Sequence, residues 1–479
     1  MFAVLMLVSP FYGFHRDELY FLDCARHLQL SYVDQPIFTP LVARLSLELF
    51  GVSVSGLRLW PALAGAATVV VGGLLARELG GGQRPQLVAA IGAATMPALL
   101  AIDHLMGPTA FDLLAWPLLY LFILRVERTG DPRWWVPAGV VLGVGLENKH
   151  SIGFFALSLI VGILIARGHR LVSNRWFAAG CAIALICTVP DLWWQANHGW
   201  ATLTMTRDLN AENGGAGKVA TWIVGQLIMS AFVLIPVWIA GLRWLWRSRT
   251  SVGRGLVWSY AMLFVFFAVT TGSKIYYLAG AYVPLLAAGA IAIDHWLESR
   301  THVRELAAGL VVSVVAALPI VLPVLPAADS GWTYGINQVG GESVGWPELV
   351  HTVDIVWHSL PSPVRRHALI VTNNYGEAGA LNELGRGTGL PVALSDQNSE
   401  WWWGVGSPSP TEVVAVAPGP RNVTGYGTYL RKFFTKVRIV ATLRNAAGLH
   451  NQEWGGHVYL CSGLRLRWTT TWRLLRHYD

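Results

Sequence analysis

The chain has 479 residues, of which 53% are hydrophobic and only 13% are charged, and its mean hydropathy is +0.45. Soluble domains carry roughly a quarter charged residues, so this composition excludes an ordinary soluble enzyme of the same length. The formal net charge of +7 does not indicate nucleic-acid binding, because basic residues of a membrane protein collect in its cytoplasmic loops.

Apolar segments of about the length that crosses a bilayer follow one another through the first two thirds of the chain and predict ten or eleven membrane-spanning helices. They cover residues 1–14, 57–79, 86–102, 111–126, 134–147, 151–166, 176–194, 219–242, 255–271, 277–296 and 305–325. The first run is too short to cross about 30 Å of hydrocarbon at about 1.5 Å per residue, so we expect this span to be clipped or the true start to lie upstream. Segments 134–147 and 151–166 predict either two abutting helices or one broken helix.

Arginines between these segments predict the orientation of the chain. They fall in alternate loops, at Arg77 and Arg84, Arg125 to Arg133, Arg167 to Arg175, Arg243 to Arg254, and Arg300 and Arg304. Because basic loops remain on the cytoplasmic side, the intervening loops and everything after residue 325 are predicted to be extracytoplasmic. We therefore expect a multi-pass protein of the plasma (inner) membrane.

The first predicted outward loop, residues 14–56, is long and contains helix-like sequence. The stretch HRDELYFLDCARHL predicts one helix, and Pro36 is expected to start or bend a second. Aromatic and apolar residues alternate with charges in this loop, a pattern typical of helices that lie flat in the membrane interface. We therefore expect an interfacial segment on the transmembrane domain, residues 1–325.

The composition changes after residue 325, where Gly, Pro, Asn and Ser increase and no membrane-length segment follows. Strand-like runs lie at 367–372, 391–394, 412–417, 437–442 and 458–461, and helix-like stretches include 377–384 and 426–434. Strands alternating with helices are typical of an α/β layer. The predicted fold is thus an α-helical polytopic membrane bundle followed by a small α/β soluble domain, residues 326–479, on the extracytoplasmic side.

Ionisable residues at the ends of the predicted spans are the candidates for chemistry. Asp17 and Glu18 follow the first span, and a carboxylate there can act as a general base toward an acceptor hydroxyl. Taken alone, however, the pair is more typical of solvated charges on a juxtamembrane helix. Further candidates on the same predicted face are Asp34, Gln35, Asp112, Lys149, His150, Lys274, Tyr276 and Tyr277. Lysines bind phosphate, so this set of acids and cations predicts a site for a charged lipid headgroup.

The sequence gives less support to a metal site, a nucleotide site or a sugar-stacking site. The four Cys include no CxxC pair, and the His residues lack metal-ligand spacing on one helix, so no metal ligands are assigned, although a divalent metal cofactor stays open. There is no P-loop and no dinucleotide fingerprint. The triplet Trp401 to Trp403 can stack on sugar rings, contact lipid or face the membrane.

The ordered motifs resemble those of a known family. DELYF resembles the Asp-Glu motif of the GT-C membrane glycosyltransferases, which include the protein O-mannosyltransferases and the aminoarabinose transferases of glycosyltransferase family 39. SYVDQPIFTPL resembles the end of the family's first outer loop, with Ile37 where a second Pro is common. AFDLLAW, LENKHSIGF and SKIYYLAGAYVPLL resemble later motifs. NNYGEAGAL, GLPVALSDQNSEWWWG and the closing W-x-L-x-x-H-Y resemble bacterial members that have a C-terminal outer domain.

The resemblance implies a polyprenyl-phosphate sugar donor and transfer, with inversion, to an unknown envelope acceptor, which can be a protein, a lipid or a polysaccharide. Asp17 matches the family's base, and Glu18 matches the neighbour that shapes the acceptor site. Lys149 and Lys274 match cations near the donor phosphate, and Asp112 matches a second acid. Tyr276 and Tyr277 would line the lipid groove.

Two other classes of function stay open. A lipid or solute transporter would carry acids and bases at the bilayer midplane and an inverted repeat, whereas the acids here are predicted at one rim and the halves of the chain do not look alike. A non-catalytic envelope binding or assembly protein would use its C-terminal domain for recognition. Among enzymes, the alternatives are transfer of a larger lipid-linked unit and transfer onto a lipid.

Overall fold

A computed structural model of the chain describes residues 1–212, 217–270, 274–407, 409–419 and 425–478. Residues 213–216 and 272–273 of two predicted outward loops, and Thr271 at the end of the predicted span 255–271, lie outside this description. The α-helices are α1 Phe2–Val8, α2 Arg16–Arg26, α3 Phe38–Phe50, α4 Val54–Glu78, α5 Gln83–Thr95, α6 Pro97–Asp103, α7 Pro108–Thr129, α8 Trp135–Leu146, α9 Ser151–Ile165, α10 His169–Val172, α11 Arg175–Asn197, α12 Ala201–Glu212, α13 Gly217–Met229, α14 Ile235–Trp246, α15 Ser251–Val269, α16 Ala279–Ala292, α17 Arg300–Val321, α18 Gly331–Tyr334, α19 Trp346–Ser359, α20 Ser362–Arg365, α21 Tyr375–Leu384, α22 Tyr426–Leu430 and α23 Trp468–Leu475. The strands are β1 Ala368–Thr372, β2 Leu394–Ser395, β3 Glu412–Ala417, β4 Phe434–Thr442 and β5 His457–Leu464.

The chain divides into two compact units. The first contains residues 1–7, 35–39 and 58–321, and the second contains residues 8–34, 40–57 and 322–479. The second unit therefore combines the C-terminal third of the chain with most of the predicted loop 14–56.

The first unit is a bundle of apolar helices. Within the described residues, six helices are long and apolar enough to cross a membrane, and the number rises to eight if each of two bent pairs, α5 with α6 and α13 with α14, is one span. The prediction of ten or eleven spans is therefore too high by this measure. The difference lies in three short helices, since α1, α8 and α9 have only 7, 12 and 15 residues, and even the longest of these extends for only about 22 Å.

Glycines allow neighbouring helices of this bundle to pack closely. A Cβ on Gly139 of α8 would lie 2.4 Å from the carbonyl oxygen of Gly180 on α11, and a Cβ on Gly162 of α9 would lie 2.3 Å from that of Gly255 on α15. Small residues at such positions let two backbones approach in a membrane, where the lipid supplies little hydrophobic drive for association. The segment predicted as two abutting helices or one broken helix is in fact two helices, α8 and α9, each with its own glycine-mediated partner.

The C-terminal part of the second unit is a mixed five-stranded sheet, which confirms the predicted small α/β domain. The strand order is β2-β1-β3-β5-β4, with β1 parallel to β2 and β3, and with β5 antiparallel to β3 and β4. The interior strand β1 is buried along its whole length, as expected for a parallel strand that is covered on both faces. The helix predicted at 426–434 is too long, because α22 ends at Leu430 and the β-branched, alternating sequence from Phe434 onward forms β4.

Two helices form from the predicted loop 14–56, and α3 starts two residues after Pro36. The prediction that this loop lies flat at a lipid surface is wrong for α2, since its residues from Glu18 to Ala25 are all buried. Helix α2 packs against α21 inside the second unit. Its apolar residues therefore contact protein.

Candidate functional site

Asp17 lies in the first turn of α2, and its two carboxylate oxygens have different surroundings. Oδ1 accepts hydrogen bonds from the hydroxyl of Tyr375 at 2.9 Å and from Nε of Arg16 at 3.3 Å. Oδ2 accepts no hydrogen bond from any residue that the structure describes, and it lies 4.0 Å from Nδ1 of His15. The side chain is 40% exposed. One oxygen is thus held in place while the other can receive a proton from a bound hydroxyl.

Charges around Asp17 favour its ionised form. Burial acts to raise the pKa of Asp17, but the positive charges of Arg16 and His15 and the hydrogen bond from Tyr375 outweigh it, so the pKa lies below its usual value. Glu342 balances the cations, with Oε2 3.1 Å from Nε2 of His15 and 3.7 Å from Arg16. The arrangement can therefore present a carboxylate base at neutral pH.

Helix α2 begins where it does because His15 and Glu18 form a capping box. When the His15 ring is neutral, its Nδ1 accepts a hydrogen bond from the backbone N–H of Asp17 at 3.1 Å, and Oε2 of Glu18 accepts one from the N–H of His15 at 2.8 Å. Such reciprocal bonds satisfy N–H groups that the helix itself cannot pair. Glu18 is fully buried, so the carboxylate expected to shape the acceptor site fixes the start of the helix that carries Asp17.

A second carboxylate, Asp34, lies in the same unit. Its Oδ1 accepts a hydrogen bond of 2.6 Å from the hydroxyl of Tyr20, whose ring centroid is 4.6 Å from that of Tyr375. Burial raises the pKa of Asp34 to about 6. We call Asp17, Asp34, Tyr20, Tyr375 and Arg16 the Asp17 cluster.

Lys149 is the centre of a polar group in the first unit. Its ammonium donates a hydrogen bond of 2.8 Å to Oγ1 of Thr109, interacts electrostatically with Asp112, and lies 5.3 and 4.9 Å from the ring centroids of Tyr276 and Tyr277. The predicted residues Asp112, Lys149, Tyr276 and Tyr277 are therefore brought together. We call these four residues and Thr109 the lysine cluster.

The turn between α8 and α9 gives Lys149 its position. Asn148 donates a hydrogen bond to the carbonyl oxygen of Pro108 at 2.7 Å and accepts one from Thr39 at 2.9 Å. This tethers the turn to the start of α7 and to the segment that includes Gln35. Gln35 itself is buried.

Two further predicted residues have defined partners near this turn. Asp112 accepts hydrogen bonds from Ser151 at 2.7 Å and from the Trp116 indole at 3.0 Å. Nε2 of His150 lies 2.9 Å from Oδ2 of Asp191. These contacts orient Asp112 toward structural partners, and they pair His150 with a carboxylate.

Lys274 differs from Lys149, because its side chain is exposed and has no ion pair within the described parts of the chain. Its carbonyl oxygen accepts a hydrogen bond of 3.3 Å from the Trp222 indole. Lys274 precedes the turn that carries Tyr276 and Tyr277.

The Trp triplet has mainly internal contacts. The Trp401 indole donates to the carbonyl oxygen of Trp472 at 2.8 Å, that of Trp402 to the hydroxyl of Tyr478 at 3.2 Å, and Trp403 stacks on His27 at 4.4 Å between centroids. Two of the three indoles thus tie the chain to its C-terminal segment. Among the described residues, no group of three or more His, Cys, Asp or Glu side chains is arranged to hold a metal ion.

Sequence reasoning did not assign Tyr375, Glu342 or Thr109 to a site. Thr109 and Glu342 carry no recognisable signal. Tyr375 lies in NNYGEAGAL, where the Asn-x-x-Glu spacing of a capping box marks a helix start. That signal locates the helix but gives no hint that it packs beside Asp17.

Comparisons with known proteins agree with this fold. Residues 34–194 match the domain family described as dolichyl-phosphate-mannose-protein mannosyltransferase. ArnT from Cupriavidus metallidurans, solved bound to undecaprenyl phosphate and in the apo state, superposes with a TM-score of 0.65 at 15% identity over 96% of each chain. The chain is similar to GT-C glycosyltransferases of family 39. The predicted resemblance and fold are confirmed.

A curated member of family 39 also matches. The undecaprenyl phosphate-alpha-4-amino-4-deoxy-L-arabinose arabinosyl transferase 1 of Pseudomonas fluorescens is 26% identical over 313 residues, which are 60% of this chain and 55% of that protein. The match thus spans about half the length of the curated relative. These family 39 relatives are membrane glycosyltransferases, and their names refer to an undecaprenyl-phosphate donor or ligand.

Proposed function

We propose that the protein transfers a sugar, with inversion, from a polyprenyl-phosphate donor to an acceptor on the extracytoplasmic face of the plasma membrane. Asp17 is the general base that deprotonates the acceptor hydroxyl. The observation that carries this proposal is the asymmetry of the Asp17 carboxylate, with Oδ1 held by Tyr375 and Arg16 and with Oδ2 left for a substrate. Inversion requires one such base on the face opposite the leaving phosphate.

The lysine cluster is the proposed site for the donor phosphate. A lysine ammonium stabilises the charge that develops on a departing phosphate, and Lys149 is placed among a hydroxyl, an acid and two aromatic rings. The Tyr276 and Tyr277 rings provide apolar faces for the polyprenyl chain, and Asp112 balances the ammonium. Lys274, being exposed, is a secondary contact in this proposal, as are Gln35 and His150.

The donor class is supported by the family 39 relatives, since one is named for undecaprenyl-phosphate-linked aminoarabinose and the other was solved with undecaprenyl phosphate. The extracytoplasmic side is supported by the arginines that fall in alternate loops. On this proposal, residues 1–325 form the transmembrane glycosyltransferase domain and residues 326–479 form the extracytoplasmic domain. The acceptor is a component of the envelope.

The test is transfer by an Asp17→Asn variant. Membranes of a deletion strain grown on radiolabelled glucose supply both lipid-linked sugars and acceptors, and purified protein is added to them. Because a general base contributes about 10²- to 10⁴-fold, we expect the variant to move label from the lipid fraction to the acceptor fraction at least about 100-fold more slowly. Binding of undecaprenyl phosphate should be unchanged.

The matched control is Asp329→Asn, which changes an exposed aspartate of the same unit and should transfer at the wild-type rate. Wild-type transfer by Asp17→Asn would refute the base assignment. Movement of a labelled lipid across liposomes without consumption of a sugar donor would instead identify a transporter. Absence of both transfer and lipid movement in the wild-type protein, with acceptor binding present, would identify an envelope binding protein.

A further inference from the structure

Tyr375 is fixed at three points. Its backbone N–H donates to Oε1 of Gln397 at 3.0 Å, its ring packs on Tyr20, and its hydroxyl donates to Oδ1 of Asp17 at 2.9 Å. The guanidinium of Arg16 lies 5.4 Å from the ring centroid. The hydroxyl therefore has little freedom to leave the carboxylate.

The fold determines why a tyrosine of the C-terminal third reaches Asp17. Strand β1 ends at Thr372, and the parallel strand β2 ends at Ser395, two residues before Gln397. The carboxyl ends of parallel strands are where open α/β sheets bind their ligands. At this edge Tyr375 is the first residue of α21, immediately after the helix N-cap Asn374.

The turn that leads into Tyr375 is itself rigid. Oδ1 of Asn374 accepts a hydrogen bond from the N–H of Glu377 at 2.9 Å, and Glu377 accepts those of Asn373 and Asn374 at 3.1 and 3.2 Å. Glu453 accepts a further bond from the Asn374 amide at 3.3 Å. These bonds use buried groups and fix the first turn of α21.

Glycines hold α21 against α2. A Cβ on Gly379 would lie 2.8 Å from the backbone carbonyl group of Leu19, and a Cβ on Gly376 would lie 2.3 Å from Cγ of Arg16. Neither close approach is possible with a larger residue. The contact between the two helices therefore depends on residues that have no side chain at the crossing.

We propose that Tyr375 is a positioning residue of the transfer reaction, which holds Oδ1 of Asp17 so that Oδ2 faces the acceptor hydroxyl. This inference rests on the proposed function. It assigns the C-terminal α/β layer a direct part in the chemistry of the base. Tyr375 does not exchange a proton with the substrate in this role.

The hydrogen bond also favours the ionised carboxylate, together with the other groups that face Asp17. These are His15 and Arg16 from its own helix, Glu342 from the 3₁₀ helix Gln338–Ser343, and Asp34 beyond Tyr20. Removal of the Tyr375 hydroxyl alone leaves all four charges in place. The pKa of Asp17 should then rise, and a purely structural loss would leave this pKa unchanged.

The experiment compares transfer by wild type, Tyr375→Phe and Tyr426→Phe between about pH 3 and about pH 8, a range that reaches below the usual pKa of an aspartate, in the labelled membranes described above. Loss of one hydrogen bond to a charged group should move the acid limb of the rate profile upward by roughly one pH unit. Tyr426 is the matched control, because its buried hydroxyl has no hydrogen-bond partner among the described residues. Its variant should keep the wild-type limb.

A second measurement tests the contact without substrate. The apparent Tm values of Asp17→Ala, Tyr375→Phe and the double variant form a double-mutant cycle. We expect the sum of the Tm losses in the two single variants to exceed the Tm loss in the double variant. Additive losses would show that the pair is not coupled and would overturn the inference.

The outcomes separate this inference from the proposed function. If Asp17→Asn is inactive but the acid limb of Tyr375→Phe coincides with that of wild type, the positioning role is refuted and the base assignment survives. If Asp17→Asn is fully active, the proposed function fails, and Tyr375 loses its role in it.

Discussion

The hydroxyl of Tyr375 donates a hydrogen bond of 2.9 Å to Asp17, a residue 358 positions earlier in the chain. The contact connects the motif at the start of the chain to a helix of the C-terminal sheet. Because both residues belong to one compact unit, the properties of Asp17 depend on packing that is remote in sequence. The predictions below test that dependence and the separate lysine cluster.

Replacing Gly379 with Ala should separate α2 from α21. The added methyl group would meet the Leu19 backbone at 2.8 Å, and backbone cannot move aside as a flexible side chain can. Overpacking of this kind costs about 1–3 kcal/mol, so the apparent Tm in detergent should fall by several degrees and transfer should decline with it. Gly331→Ala is the control, since a Cβ there meets no atom within 4 Å. Equal Tm values for the two variants would show that the helices do not need this close approach.

Lys149→Met should weaken binding of undecaprenyl phosphate. A hydrogen bond to a charged group contributes about 1.5–3 kcal/mol, which corresponds to roughly a 10- to 150-fold increase in Kd. Lys274→Met should have a smaller effect, because Lys274 is exposed whereas Lys149 has polar and aromatic neighbours. Titration of the purified protein with undecaprenyl phosphate measures both. Lys436→Met, at an exposed position of β4, is the control, and a Kd for Lys149→Met equal to that of this control would contradict the phosphate role.

Glu342→Gln should destabilise the protein most in mildly acidic solution. Burial acts to lower the pKa of His15, but the hydrogen bond to Glu342 and the charges of Asp17 and Glu342 raise it above its usual 6.5. The contribution of His15 to the stability of the fold is complete below about pH 6.5 and is lost as the pH rises through the pKa of His15 in the folded protein. Burial acts to raise the pKa of Glu342, but the charge of Arg16 and the hydrogen bond to His15 lower it below its usual 4.5. The contribution of Glu342 to stability is therefore lost as the pH falls.

The difference in Tm between wild type and Glu342→Gln should therefore be greatest between about pH 4.5 and about pH 6.5. A loss of about 2 kcal/mol is expected in that window for a bond to a charged group, and it should shrink toward pH 9 as His15 becomes neutral. Thermal unfolding in detergent over this pH range measures the profile. A difference that does not vary with pH would show that the pair of His15 and Glu342 is not charged in the folded protein.

Asp23→Asn should remove a pH-dependent loss of stability. Burial raises the pKa of Asp23 to about 7, against the opposing hydrogen bond from Asn382 at 2.8 Å. A buried acid whose folded pKa is raised binds its proton more tightly in the folded state, so the free energy of unfolding falls between about pH 4 and about pH 7, by up to about 1.4 kcal/mol per pH unit. The variant cannot ionise at this position.

The apparent Tm of Asp23→Asn minus that of wild type should thus be larger at pH 8 than at pH 4. Asp329→Asn, at an exposed position, controls for removal of a surface carboxylate. Parallel Tm profiles for wild type and Asp23→Asn would rule out the raised pKa.

Local sequence predicted the elements of this protein better than their surroundings. The runs at 412–417 and 377–384 predicted β3 with its observed bounds and most of α21, and each apolar segment of the bundle contains a helix within its described residues. Apolar composition does not fix helix length, however, and α8 and α9 prove too short to cross a bilayer unaided. The amphipathic pattern of α2 showed which residues are apolar, but it could not show whether these residues contact a lipid surface or pack against α21.

The candidate site was predictable only in part, for the same reason. Motif order singled out Asp17, Asp112 and Lys149, and the structure groups Asp112 with Lys149 and the two tyrosines of the later motif. Tyr375 reaches Asp17 only through the packing of two helices, and no spacing rule relates residues 358 positions apart. The assignment of their roles is still a prediction.

The second unit is assembled from three separate stretches of chain, the last of which begins at residue 322. At about 5–20 residues per second, a ribosome that has released α2 needs on the order of 20–70 s to complete α21. During synthesis the apolar side of α2 has no native partner, which exposes it to proteases and makes it a substrate for chaperones. The Asp17 carboxylate therefore acquires its native surroundings late in biogenesis, and a chain that is cut short before α21 never forms them.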